Sequence, residues 1–208
     1  YGENVVEQGG LRVTTTLDLD LQEFAQKTVA AEVLKLTKQK VGNGAAIVTR
    51  PKSGEILAMV GSKDYFDTEN EGNFNVATQG LRQPGSSIKP FAYVTAFKKG
   101  FTPDTIVFDL ETEFDTTGIE SKSYKPENFD EQFRGPMTMR QALAQSINVP
   151  SVKTLYLAGI GSTLKTAQDF GITTLTEKSR YGLSLALGGG EVKLFDLVGA
   201  YSVFSQEG

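Results

Sequence analysis

The chain contains no histidine and no cysteine in its 208 residues. Without histidine there is no Ser-His-Asp relay, no imidazole metal site and no imidazole general base. Without cysteine there is no thiol nucleophile, no thiolate-held metal and no disulfide. Nucleophilic chemistry must then rest on Ser, Thr, Lys or a carboxylate, with Lys, Tyr, Asp or Glu as the base. The lack of cysteine leaves the compartment open, because an oxidising compartment permits disulfides without requiring them. No apolar run reaches the ~18 residues of a membrane span, and the N-terminus shows no charged-then-apolar leader pattern. Any anchor or export segment is therefore expected outside this stretch. The net charge of −4, the pI near 5.0 and the lack of a long basic run argue against nucleic acid or anionic lipid as the main partner.

What is present is enough apolar residue, 39%, for one large globular domain or two small ones. Residues 1–17 carry two short strand-like runs broken by Gly9-Gly10 and are expected to be a linker arriving from an upstream domain. Asp18 or Asp20 then caps a helix whose apolar face comprises Leu21, Phe24, Ala25, Val29, Val33 and Leu36. Two apolar runs, 45–50 and 55–61, flank a Pro51-Lys52-Ser53-Gly54 turn and predict a β-hairpin. The unbroken apolarity of one run suggests burial on both faces, within a larger sheet. Residues 62–82 read as surface loop. The stretch 101–136 reads as irregular, and its acidic residues Asp104, Asp109, Glu111, Glu113 and Asp115 as a solvated surface without ligand spacing.

The rest of the chain is organised around Arg82-Gln83-Pro84-Gly85-Ser86-Ser87-Ile88-Lys89-Pro90-Phe91. Pro84-Gly85 signals a turn, and Ile88 to Lys99 is apolar at helical spacing with a stop at Gly100. Ser86 falls in the first turn of that helix, and Lys89, three residues on, lies on the same face. A serine hydroxyl becomes a useful nucleophile when a neighbour removes its proton, and a helix N-terminus favours negative charge on its oxygen. The spacing alone is weak: with 13 Ser and 15 Lys, chance gives about one Ser-x-x-Lys. A second does occur, Ser162-Thr163-Leu164-Lys165, where Ser162 reads as the N-cap of a short helix and Lys165 as solvated.

Thr138-x-x-Gln141 is a capping box opening a helix. That helix runs into Ser146-Ile147-Asn148-Val149-Pro150, with Pro150 heading the next one. Ser146 and Asn148 thus lie at a tight junction, either as junction caps or as a hydroxyl and an amide facing one cleft. Leu183 to Gly190 ends in a glycine run that needs no phosphate and reads as a packing or turn feature, and 191–206 is a strongly apolar helix.

Ser86-x-x-Lys89 in its context, followed by Ser146-x-Asn148 in Arg-Gln-Ala-Leu-Ala-Gln-Ser-Ile-Asn-Val-Pro, resembles the transpeptidase domain of class A penicillin-binding proteins. Tyr1-Gly2-Glu3 through Gln22 resembles the segment joining glycosyltransferase to transpeptidase in such bifunctional enzymes, and Leu185-Ala186-Leu187-Gly188 with Glu191-Val192 resembles the family too. The resemblance implies an α+β fold of the penicillin-binding protein and serine β-lactamase type, an antiparallel sheet flanked by helices, with residues 18–208 as part of it. It implies a D,D-transpeptidase acting on peptidoglycan stem peptides and acylated by β-lactams, at the extracytoplasmic face of the bacterial cell membrane. Membrane contact would come only through a segment absent from this chain, with no nucleic acid, cofactor or metal involved. Ser86 would be the nucleophile, Lys89 its base with a pKa lowered by burial or nearby positive charge, and Ser146 the proton relay. Asn148 would hold the substrate backbone, and the Ser86 N–H would form half of an oxyanion hole.

The family's third motif, Lys-Thr/Ser-Gly, has no counterpart in order and context. Lys52-Ser53-Gly54 lies in the hairpin turn before Ser86, and Lys153-Thr154-Leu155 lacks the glycine. The expectation is an N-terminal portion of the domain, weak or inactive alone. A β-lactamase or D,D-carboxypeptidase would share Ser86 and Lys89 but pass the acyl group to water, and a penicillin-sensing module would acylate without turnover.

Overall fold

The computed structural model describes residues 2–114 and 123–208, which fall into two compact units divided between Ala77 and Thr78. Asp115 lies outside the described residues. Among these residues no helix is long and apolar enough to cross a membrane.

In the first unit, residues Glu3–Gln8 form a helix, α1, where strand-like character was expected. The Val5-Val6 pair favours a strand only beside a partner strand. Here the backbone satisfies itself locally instead, the Val6 N–H reaching Gly2 O at 3.3 Å. Helix α2 (Leu19–Lys35) starts where expected, with the Asp18 carboxylate accepting from the Leu21 N–H at 3.0 Å. Strands β1 (Ala46–Arg50) and β2 (Glu55–Val60) form the antiparallel hairpin, bulged between Val48 and Thr49. Leu21, Ala25, Val29 and Val33 pack on Ala46, Val48, Ala58 and Val60. Phe24, expected on this face, is 67% exposed. At about 100° per residue it points about 120° away from the centre of the 21/25/29/33 stripe. Gln22 completes the seam by accepting from the Met59 N–H at 2.7 Å and donating to Met59 O at 3.0 Å, as a neighbouring strand would. The hairpin is covered on one face rather than both: Ala58 and Val60 are buried, Leu57 and Met59 only half-buried. A one-turn helix, α3 (Val76–Gln79), lies where the units join in sequence.

The second unit is built around helix α4 (Lys89–Lys98), in which Phe91, Ala92, Tyr93, Thr95 and Ala96 are all buried. A helix apolar on every side must be enclosed, and two clusters enclose this one. Ile88, Phe91 and Ala92 pack with Val152 and Leu155 of α6 (Asn148–Ala158), Leu164 of α7 (Ile160–Asp169), Leu185, and Ala200 of α8 (Leu194–Ser205). Tyr93 and Ala96 face Val107 of β3 (Ile106–Asp109), Met137 of β4 (Gly135–Thr138), and Ala142 of α5 (Met139–Ala144). Phe91 meets Phe170 edge-on at 5.6 Å and Tyr201 at 6.1 Å. Strand β3 lies within 101–136, where irregular structure was expected, and pairs antiparallel with β4, which begins at the end of that stretch. Ile106-Val107-Phe108-Asp109 alternates exposed and buried, so Asp109 is fully buried while Asp104, Glu111 and Glu113 lie at the surface. The reading of Asp109 as solvated is thereby corrected.

Candidate active site

The turn Pro84-Gly85 delivers a short 3-10 helix, Gly85–Ile88, that runs directly into α4. Ser86 therefore lies in a 3-10 turn rather than in the α-helix itself; it is exposed, and among the described residues its side chain takes part in no hydrogen bond. This turn rests on the glycine run: Gly188 has φ +91°, and a Cβ there would lie 2.4 Å from Gly85 N and 2.5 Å from Gly85 Cα. Only a residue without a side chain permits that approach. Nearby, Arg82 and Val192 exchange backbone hydrogen bonds at 3.0 and 2.9 Å, and the Tyr201 hydroxyl donates to Ser87 O at 2.8 Å.

Lys89 behaves in the opposite way to Ser86. Its residue is 1% exposed, and Nζ donates to Ser146 O at 2.6 Å, Asn148 Oδ1 at 2.9 Å and Ser146 Oγ at 3.1 Å. An ammonium has three N–H bonds, and all three have acceptors. None of those acceptors is charged. Burial, unrelieved by a carboxylate, therefore lowers the pKa of Lys89 to about 8. The amine is thus available as a base near neutral pH in a way that an ordinary lysine is not.

The junction that brings Ser146 and Asn148 to Lys89 is a Schellman motif. Helix α5 starts with the expected capping box, Thr138 and Gln141 bonding reciprocally. At its end the Ser146 N–H bonds Leu143 O and the Ile147 N–H bonds Ala142 O, each at 3.0 Å. Helix α4 ends in the same way, with Gly100 at the left-handed position (φ +96°) and N–H groups of Gly100 and Phe101 bonded to Phe97 O and Ala96 O. At the corresponding position α5 has a serine, Ser146, at φ +55°. A non-glycine residue there is held at a cost of about 1 kcal/mol. The left-handed turn directs both the carbonyl and the hydroxyl of Ser146 to the same amine. Helix α6 then begins at Asn148, two residues before Pro150, and Asn148 Nδ2 donates to Glu127 O at 3.0 Å, leaving Oδ1 for Lys89.

The structure thus brings Lys89, Ser146 and Asn148 into one hydrogen-bonded cluster, with Ser86 one helical turn from Lys89 and not bonded to it. Asn128, whose side chain supports the start of α6, and Asp109 were missed in the sequence. The period-2 pattern of 106–109, which sets Asp109 beside buried Val107, was the available signal. The second Ser-x-x-Lys is different. Ser162 lies inside α7, whose N-cap is Gly159, so the capping role expected for it is corrected, while Lys165 is exposed as expected and paired with Asp169. Lys52-Ser53-Gly54 lies in the exposed hairpin turn, with Gly54 at φ +74°. Among the described residues no group of three or more His, Cys, Asp or Glu could hold a metal ion.

An α+β scaffold carrying these motifs in this order corresponds to the penicillin-binding protein transpeptidase domain, whose family model matches residues 44–206; the chain belongs to that family. Among its relatives, penicillin-binding protein 2D of Bacillus subtilis (strain 168) is 37% identical over 204 residues, 98% of this chain and 28% of its own length. Penicillin-binding protein 1A from Haemophilus influenzae, a solved structure, is 34% identical with a TM-score of 0.69, over 78% of this chain and 23% of that one. The PonA1 protein from Mycobacterium tuberculosis in complex with penicillin V shares the fold at a TM-score of 0.77 and 24% identity, over 99% of this chain and 54% of that one. The chain therefore spans about a quarter of the curated relative's length.

Proposed function

We propose that this chain carries the nucleophile half of a serine D,D-transpeptidase site. The observation that carries the reading is the buried, uncharged surroundings of Lys89, linked to Ser146 and Asn148 and one turn below an exposed Ser86. Neutral Lys89 takes the proton as Ser86 Oγ attacks the carbonyl carbon of the penultimate D-Ala of a stem peptide. The C–N bond to the terminal D-Ala breaks, and the proton passes from Lys89 through the Ser146 hydroxyl to the departing amine. An amine of a neighbouring stem then attacks the ester and loses a proton to the Ser146–Lys89 pair, which passes it to Ser86 Oγ as that oxygen is displaced. Asn148 holds the substrate backbone, and the Ser86 N–H contributes to the oxyanion hole. With a β-lactam the same attack opens the ring, but the leaving nitrogen stays tethered and the ester persists. Catalytic hydrogen bonds are often long before substrate binds, so an unbonded Ser86 is compatible with this role.

In this reading the whole protein works on peptidoglycan at the extracytoplasmic face of the bacterial membrane, held by a segment other than these residues. Residues 1–17 arrive from an upstream domain, with 18–208 belonging to the transpeptidase. The test is intact-mass analysis after incubation with a penicillin, on the longest encoded form of the protein. One adduct is expected, lost in Ser86→Ala. An adduct that survives Ser86→Ala, or none in the unmodified protein, overturns the reading.

A further inference from the structure

Helix α6 has a gap at its start: its N-cap residue is Ile147, which has no side-chain acceptor for the first N–H groups. The acceptor comes from elsewhere in the chain. Asn128 Oδ1 receives the N–H groups of both Asn148 and Val149 at 3.1 Å. Asn128 is 5% exposed, and its Nδ2 donates to Asp109 Oδ1 and to Gln132 O, each at 2.7 Å. Asp109 is itself fully buried, its other oxygen accepting from the Arg134 N–H at 3.0 Å with the Arg134 guanidinium 3.6 Å away. Lys153 of α6 ties the helix to the strand carrying Asp109, donating to Phe108 O at 2.6 Å. The residue before Asn128, Glu127, supplies the carbonyl that fixes the Asn148 amide. Backbone and side chain of Asn148 are therefore both held by one dipeptide.

We propose that Asn128, clamped by the buried Asp109 carboxylate, is the positioning residue of this site, setting the start of α6 so that Asn148 Oδ1 faces Lys89. The inference rests on the reading of Ser86 and Lys89 as the reacting pair. An apolar residue at 128 would leave two N–H groups of α6 and one Asp109 oxygen without their partner. A buried carboxylate opposite an asparagine is a costly way to close a loop, and its geometric output is the orientation of one amide.

The test is a double-mutant cycle of Asn128→Ala and Asn148→Ala, read two ways: the titration midpoint of Lys89 by lysine-selective NMR, and the rate of penicillin adduct formation at pH 7. Removing one of three acceptors disfavours the ammonium, so each single variant is expected to lower the midpoint by about half a pH unit or more. The larger neutral fraction at pH 7 is outweighed by loss or displacement of the Asn148 amide that holds the substrate backbone, so adduct formation is expected to slow at least about tenfold. The double variant should match Asn148→Ala alone. Additive effects, or an Asn128→Ala variant that loses only thermal stability with the midpoint unmoved, would overturn the proposal. If Asn128→Ala does not fold, Asp109→Asn carries the test. It should shift the midpoint in the wild-type background and not in Asn148→Ala, whereas a shift kept in both backgrounds marks Asp109 as a mere charge and overturns its clamping role. The NMR readout needs no turnover, so an absent adduct refutes the transpeptidase reading while the positioning proposal is still decided.

Discussion

Two stretches of this chain have serine and lysine three residues apart, and they have opposite physical characters. At Ser86 and Lys89 the lysine is 1% exposed and bonded to three neutral acceptors. At Ser162 and Lys165 the lysine side chain is 70% exposed and pairs with Asp169 one turn along. The spacing is identical, so the difference in character cannot lie in the spacing. It lies in what surrounds the amine: burial without a counter-charge moves its pKa to about 8 in the first case. The second pair contributes to a helix surface.

The comparison is broken most sharply by Lys89→Met against Lys165→Met. Adduct formation should fall about 10²- to 10⁴-fold in the first, the usual contribution of a general base, and stay within about twofold in the second. In the unmodified protein the rate at saturating penicillin should rise about tenfold per pH unit below about 8 and level off above it, as the amine loses its proton. The stability consequence has a definite sign. Lys89 binds its proton less tightly folded than unfolded, so stability should rise with pH between about 8 and the unfolded value of 10.5, by about 3 kcal/mol in all. Lys89→Met removes that slope, and a denaturation series from pH 7 to 10.5 that shows the same slope in both proteins would contradict the assignment.

A smaller effect is expected at Gly188. Alanine there would drive a Cβ into the Gly85 backbone and needs a left-handed φ, so a loss of about 1–3 kcal/mol is expected, with slower acylation because the displaced residue precedes Ser86. Loss of stability with an unchanged adduct rate would mean that the Ser86 turn tolerates the shift. The smallest effect belongs to Lys165→Met, about 0.3–0.5 kcal/mol for an exposed pair four residues apart, measured by thermal melting.

Much of this molecule was legible before its structure. The Asp18 cap, the hairpin turn at 51–54 and the Thr138–Gln141 box are local signals, in which the residues that fix the geometry are neighbours in sequence. Ser86, Lys89, Ser146 and Asn148 were legible as paired motifs, because each lies at the start or end of a helix whose limits the sequence marks. What failed depended on distant partners. The α1 segment reads as strand, but among the described residues no strand pairs with it, and Phe24 reads as core until the hairpin selects which stripe of α2 is covered. Asp109 and Asn128 were hidden because they are 19 residues apart and act on a third site. Nothing local distinguishes a buried carboxylate in an acidic stretch from a solvated one, apart from the alternation at 106–109.

Ser146 at its left-handed position has a consequence for how this sequence responds to selection. A search that rewards thermal stability alone would write glycine at 146, as α4 already has at Gly100, and methionine or leucine at 89. Both changes relieve a local penalty; the first removes the hydroxyl contact to the amine, and the second removes the amine itself. On the function proposed above, selection for stability alone would therefore act against acylation at these two positions.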